Sequence, residues 1–314
     1  MVPERGIALG DFVLRGGRVY LRQTGNSAAI NRHLLAEVAI WVSYHIIVLA
    51  RAALGRVTRR QRLSIWFTPQ VAHPRYMVRS AAIWAGIGLA RSAEQANAIF
   101  FFEDATRSER PNWRAFNSGC TDISKSRVAA MFEQVFGYPL AVDPRTWTGD
   151  AVEKSEENGA HDGRIVACPC APQAGKVYQR LIDTVDTDGF ATDLRTHVVN
   201  SEIVASWVKK RAANDRFLPP NLSATLQNPS DLFTASEIAL IARFAAAMGA
   251  DWCGLDILRD RDGRIYIVDL NKTDAGPIIA LPMRQKLAST AILADALLAM
   301  IGPDLRFRNG AVLA

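Results

Sequence analysis

Residues 254–277 read GLDILRDRDGRIYIVDLNKTDAGP, two apolar runs on either side of the turn-forming RDRDG. The pattern predicts two strands joined by a tight connection. Side chains alternate along a strand, so Asp269 and Asn271 share a face. Asp256 lies on the preceding strand, and pairing across the turn brings the three oxygen-bearing side chains together. Two acids beside a turn are ordinarily solvent-facing charges. Here they interrupt GLDIL and IYIVDLN, where an uncompensated buried carboxylate is expensive. A metal or a cationic partner resolves that cost. Two carboxylates and an amide oxygen suit Mg²⁺, a hard cation that takes oxygen ligands and shares them with phosphates.

Outward from this stretch, RLSIWFTP reads as a buried strand, HPRYMVRSAAIWAGIGLARS as a helix and ANAIFFFEDAT as a second buried strand. Unbroken apolar strands separated by a helix indicate a βαβ unit in a parallel sheet. ISKSRVAAMFEQVFG reads as a helix closed by Gly137, with Pro139 beyond it. Residues 140–198 change character, with short apolar runs broken by Gly, Pro and acidic loops, which indicates an antiparallel sheet. RTHVV and EIVASW form a hairpin through Asn200 and Ser201. Helical periodicity returns in TASEIALIARFAAAMG, with Thr234 and Glu237 as a capping box and Gly249 at its close. LPMRQKLASTAILADALLAMIG is a last helix. The fold class is α/β (α+β).

The 314 residues, 49% apolar and 22% charged, describe a globular chain rather than a disordered one. The four cysteines show no CxxC spacing, and Cys168-Pro-Cys170 is too close for a relaxed disulfide, so idle thiols in a reducing compartment are expected. No secretory signal is evident at the start, and a cytoplasmic location is expected. The five histidines suggest no triad, and His161 and His197 read as structural or exposed.

Charge is concentrated early. Residues 1–62 carry ten arginines against Glu4, Asp11 and Glu37, a local +7 in a chain of net +6. This is either a solvated face or a patch for an anionic partner. Within it, residues 38–50, VAIWVSYHIIVLA, form the most apolar run. It is shorter than a spanning helix, so a buried helix is expected, with a helix in a membrane interface as the alternative.

Taken in order, these features resemble the ATP-grasp superfamily of carboxylate–amine ligases, including the ribosomal-protein-modification and glutathione-synthetase-like ligases. The resemblance covers most of the chain from Leu63, and residues 254–277 carry it most specifically. SEENGAHDGRIV is similar to the family's phosphate-covering loop. VYQRLID is similar to the hinge against adenine, with Gln179, Arg180, Leu181 and Ile182 lining it. Asp193 and Arg195 take the D-x-R position. Asp269 stands where the family usually has Glu, the loop is more acidic than usual, and Arg180 stands where Glu is common. The resemblance implies a small parallel βαβ pre-domain, an antiparallel mobile lobe and a C-terminal mixed-sheet lobe. The corresponding domains are a basic helical segment at 1–62, the pre-domain at 63–120 and the ATP-grasp domain at 121–314, with the mobile lobe near 140–185.

It also implies an activity: ATP phosphorylates a carboxylate, and an amine attacks the acyl phosphate to give an amide. ATP and Mg²⁺ are the implied cofactors, with Mn²⁺ as the alternative ion. Asp256, Asp269 and Asn271 would hold the metal, and Lys125 and Lys154 would contact phosphate as point charges. Taken singly, these lysines read as ordinary exposed side chains. Arg195 would pin a carboxylate or the transferred phosphoryl group through its planar fork, or merely pair with Asp193. Lys209 joins the catalytic set, whereas Lys210 and Arg211 do not. The implied partners are small-molecule or peptide carboxylates and amines, with no nucleic acid. Non-enzymatic alternatives are a nucleotide sensor or scaffold, and a peripheral membrane protein anchored through residues 38–62.

Overall fold

A computed structural model describes residues 7–9, 12–21, 27–58, 63–215, 217 and 221–302. The chain divides into two compact units, Met1–Ile47 and Val48–Ala314.

The first unit opens with strands rather than the expected helix. β1 (Ile7–Leu9), β2 (Phe12–Arg15), β3 (Arg18–Leu21) and β4 (Ser27–Ala29) form an antiparallel meander in sequence order. Gly16 and Gly17, at φ 56° and 70°, make the β2–β3 turn. This left-handed pair matches the twist of a two-residue hairpin, which explains why FVLR and RVYL pair. Helix α1 (Arg32–Thr58) follows, 27 residues long, and runs across the division between the units. The expectation of a short buried helix fails here. Apolar residues beyond Glu37 and Arg51 extend the helix, and most of its apolar side chains are exposed.

In the second unit, β5 (Ser64–Pro69), α2 (Met77–Trp84), β6 (Gly88–Leu89) and β7 (Ala98–Phe102) build a parallel sheet of order β6-β5-β7. The helix expected over HPRYMVRSAAIWAGIGLARS is reduced to α2. Gly86 adopts a φ of 71°, and the following Gly88 and Leu89 pair with β5. Helix α3 (Lys125–Phe136) ends at Gly137, whose φ of 80° is the left-handed conformation that glycine accepts without strain.

β8 (Gly149–Ser155), β9 (Arg164–Cys168) and β10 (Lys176–Arg180) form the expected small antiparallel sheet, in the order β10-β8-β9. The larger sheet has the order β13-β12-β11-β14-β15, from β11 (Phe190–Val199), β12 (Glu202–Ala212), β13 (Ser223–Gln227), β14 (Trp252–Arg259) and β15 (Ile265–Asn271). It was expected to be mixed and is antiparallel throughout; short turns join β11 to β12 and β14 to β15. Asn200 and Ser201, at φ 48° and 64°, make the β11–β12 turn as the sequence suggested. Helices α4 (Pro229–Leu232), α5 (Ala235–Ala247) and α6 (Met283–Ile301) complete the unit, and Thr234 and Glu237 form the predicted capping box on α5.

The five-stranded sheet is covered on both faces. Phe132 of α3 and Phe244 of α5 pack with Leu255, Ile257 and Leu270 on one face. Leu293 and Leu297 of α6 pack with Trp207 and Trp252 on the other, in a core continuous with Ile65 and Phe100 of the parallel sheet. Two-sided burial accounts for strands that read as apolar runs instead of strict alternation.

Candidate active site

Register assembles the site. Asp256 of β14 lies directly opposite Asp269 of β15, and Gly254 opposite Asn271. Leu255 and Leu270, their intervening neighbours, pack under α3 and α5. Alternation therefore sends Asp256, Asp269 and Asn271 to the opposite face. On β11, Arg195 pairs with Asp256 and His197 with Gly254, while Asp193 lies opposite Lys209 of β12. Four adjacent strands thus place Asp193, Arg195, His197, Lys209, Arg211, Asp256, Asp269 and Asn271 on one face.

The side chains meet. Asp256 Oδ1 accepts from Lys209 Nζ at 2.9 Å, and its Oδ2 accepts from Arg195 Nη1 at 2.9 Å. Asn271 Nδ2 lies 3.5 Å from the same Oδ2. Lys125, buried in the first turn of α3, places Nζ 2.5 Å from Asp269 Oδ1 and 3.2 Å from Asn158 Oδ1. A lysine opposes the helix dipole there, and the Asp269 carboxylate supplies the compensation. Lys154, near the end of β8, donates to the Val268 carbonyl at 3.2 Å, tying the small sheet to β15.

Electrostatics follow from this crowding. Burial alone would raise the Asp256 carboxyl, but Arg195 and Lys209 outweigh it and hold the group well below the usual carboxylate range. Burial pushes the Lys154 ammonium down to about 8, although Asp269 and Asp256 pull the other way. For Arg195, burial is outweighed by Asp256 and Asp274, which keep the guanidinium charged.

Arg195 does not pair with Asp193, the structural alternative the sequence left open. Asp193 is taken by Lys209, at 3.6 Å, and by Arg211 in a shorter contact. Arg211 was excluded at the sequence level, yet it is two residues from Lys209 and shares its face; alternation alone would have found it. Lys210 points the other way and pairs with Asp186 at 2.9 Å.

The remaining expected residues are on or just after β10. Gln179 is buried with no hydrogen-bond partner for its Nε2 among the described residues. The Arg180 guanidinium lies 5.0 Å over the Trp147 ring. Leu181 is half-buried, and Ile182 packs in the core with Phe132 and Tyr266, so its side chain is already committed there.

Two features were invisible in the sequence. The first is the orientation of the acidic loop after β8. Glu156 accepts from the Ser126 amide at 3.0 Å, at the positive end of α3, and Glu157 accepts from Thr106 Oγ1 at 2.7 Å. The acids therefore turn away from the lysines, and Asn158 reaches inward, with Nδ2 3.4 Å from Asn271 Oδ1.

The second is a pair beneath Arg195. His197 is fully buried, and its Nδ1 lies 3.1 Å from Asp274 Oδ2, with Arg195 Nη2 at 3.7 Å from the same oxygen. The His197 nitrogens and the Asp274 oxygens make no aligned hydrogen bond among the described residues. Burial would raise the Asp274 carboxyl, but His197 and Arg195 hold it lowered. Gly254 makes room for this arrangement, since a Cβ there would stand 2.8 Å from both Arg195 Nη2 and Asp274 Oδ2.

The donor set fits a hard cation. Among the described residues no three His, Cys, Asp or Glu side chains converge, so the candidate ligands are two carboxylates and one amide oxygen. Oxygen donors of this kind suit Mg²⁺ and not a thiolate-seeking metal.

No protein-family model and no curated protein matches the chain. Among solved structures, it is similar to the ATP-grasp ligase PsnB complexed with minimal precursor, Mg and ADP, at 16% identity and a TM-score of 0.49, over 77% of this chain and 99% of that one. It is also similar to the D-cycloserine synthetase DcsG, at 15% identity and a TM-score of 0.46, over 76% of this chain and 99% of that one. A third likeness is to the macrocyclase MdnC bound with its precursor peptide MdnA from Microcystis aeruginosa, at 11% and 0.45, over 76% and 99%. At such identities and scores these likenesses decide nothing about activity, which rests on the residues described above.

Proposed function

We propose that the chain is an ATP- and Mg²⁺-dependent ligase that joins a carboxylate to an amine through an acyl phosphate. The observation that carries the reading is the convergence of Asp256, Asp269 and Asn271 with Lys125, Lys154, Arg195 and Lys209. A purely structural ion-pair cluster is a costly use of a sheet face that apolar residues could fill, because desolvation offsets much of the Coulomb gain. The same cluster is well suited to a polyanion carrying its own cation.

In this reading Asp256, Asp269 and Asn271 hold Mg²⁺, which neutralises charge on the phosphates when bound. Lys125 and Lys154 exchange their present partners, Asp269 and the Val268 carbonyl, for phosphate oxygens. Gln179, whose buried amide nitrogen is unpartnered among the described residues, offers a donor to the adenine base beside Leu181. Arg195 orients the substrate carboxylate or the transferred phosphoryl group through its fork, and Lys209 neutralises charge beside it.

The carboxylate oxygen attacks the terminal phosphorus and ADP leaves. The amine then attacks the acyl carbon, phosphate leaves, and the nitrogen gives up a proton. Positioning and charge stabilisation carry the first step, so no dedicated base is required. Small-molecule or peptide carboxylates and amines are the substrate classes.

The test is calorimetry of ATP with and without Mg²⁺, on the native chain and on Asp269→Asn. Mg²⁺-dependent binding that the substitution abolishes supports the site, and ADP release on adding acids and amines supports the ligase. Binding without turnover under a broad acceptor screen would reduce the reading to a nucleotide sensor. Equal binding by both proteins would remove Asp269 from the site.

A further inference from the structure

Helix α1 contains Leu34–Leu54, 21 residues with a stretch of mean hydropathy 1.6, in which three side chains, Tyr44, Val48 and Ala52, are buried. At 1.5 Å per residue this segment is about 32 Å long, close to the roughly 30 Å hydrocarbon thickness of a bilayer. We propose that α1 is inserted in a lipid bilayer as an integral anchor, which goes beyond the catalytic reading and does not depend on it.

Three observations select lipid as the occupant. First, the exposed apolar side chains cover a broad arc of the helix rather than one narrow stripe. Leu35, Val42 and Leu49 form one row at seven-residue spacing, and Ile40, Ile47 and Leu54 form another. At 100° per residue the rows are about 140° apart. A helix lying in a membrane interface needs one polar face, and a docked helix in a soluble assembly is apolar along one stripe; α1 fits neither.

Second, α1 already has a packed stripe. Tyr44, Val48 and Ala52 are buried, at four-residue spacing, between the two exposed rows. Protein contact is therefore satisfied on one side, and the apolar surface that remains faces outward.

Third, the ends are basic. Arg32 stands at the start of the helix, and Arg56, Arg59, Arg60 and Arg62 follow Leu54 in sequence. Arg51 lies in the last turns of the apolar segment with its guanidinium 5.7 Å over the Trp84 ring. Arginine and tryptophan are the residues that settle at headgroup level, where anionic lipid complements the charge.

The experiment expresses the full chain and extracts the membrane fraction in sequence with high salt, alkaline carbonate and detergent. The purified chain is then floated with phosphatidylcholine vesicles, with and without phosphatidylglycerol. The expected result is retention through salt and carbonate, release only by detergent, and flotation with both vesicle types.

The variant Val42→Arg/Ile47→Arg is expected to lose carbonate resistance while keeping the thermal unfolding midpoint of the native chain, since both positions are exposed. Release by salt, or flotation only with the anionic vesicles, would overturn insertion in favour of a peripheral contact. A soluble native chain that forms a dimer without detergent, and a monomer as the variant, would assign the surface to a second copy instead. Because the readouts are partition and unfolding, failure here is distinguishable from failure to bind ATP.

Discussion

The β14–β15 hairpin carries paired charge at both ends, and the two ends are built on different terms. At the turn, Arg259 donates to Glu237 at 2.7 Å, to the Gly263 carbonyl at 2.6 Å and to the Leu232 carbonyl at 2.7 Å. Glu237 also accepts from the Thr234 amide at 2.8 Å as the second half of the capping box. Backbone groups and side chains satisfy one another, and the clasp is closed. At the other end Asp256 is shared by two cations, and His197 and Asp274 sit buried without aligned hydrogen bonds among the described residues. A saturated pair locks structure, whereas a cluster with unsatisfied groups retains capacity for a ligand.

This contrast predicts opposite consequences for substitution at the two ends. The largest effect is expected from Asp256→Ala, which strands Arg195 and Lys209 together. It should cost about 3 kcal/mol in denaturant unfolding and abolish nucleotide binding by calorimetry. Asp256 is held below its ordinary pKa, so its contribution exists above the usual carboxylate range and fades as pH falls through and below about 4. The variant should lack that acid-sensitive part of the unfolding profile. A variant as stable as the native chain would place Asp256 in solvent-screened surroundings.

Next in size is Arg259→Ala. Loss of the clasp should cost about 2 kcal/mol while leaving ATP affinity unchanged. A parallel loss of affinity would mean that the two ends are coupled through the hairpin.

The smallest expected change in stability, and opposite in sign, is from Lys154→Met. Burial depresses this ammonium to about 8, so removing it should raise the unfolding free energy by about 0.5 kcal/mol and lower ATP affinity about tenfold. The charged form is the one that attracts phosphate. In the native chain, affinity should therefore rise as pH is lowered from 9 to 7, that is, through about 8, and the variant should lose this dependence. Stability of the free protein runs the other way, rising with pH between about 8 and the ordinary lysine value of about 10.4.

Strand periodicity made much of the site legible. The two-residue spacing of Asp269 and Asn271 and the turn before them predicted that they share a face with Asp256, and the register puts all three there. The same rule would have admitted Arg211. It could not show that Arg195 bypasses Asp193, because both lie on one strand face and only the neighbouring strand brings Asp256 within reach of the guanidinium. Asn158, Asp274 and the pairing of His197 with Asp274 were out of reach for the same reason: each meets the site through contacts that are distant in sequence.

Two apolar helices mark the remaining boundary. The sequence of α1 reads as a buried helix and that of α6 simply as a last helix. Leu293, Leu297 and Met300 of α6 are buried against the sheet and α2, while Leu35, Ile46 and Leu49 of α1 are exposed. By itself the sequence determined most helices and strands beyond Leu63, and which side chains share a strand face, because those depend on local periodicity and turn chemistry. Only the tertiary structure decided which charges meet and which apolar surface is covered. Both depend on the neighbour across the interface, and that neighbour is distant in the chain.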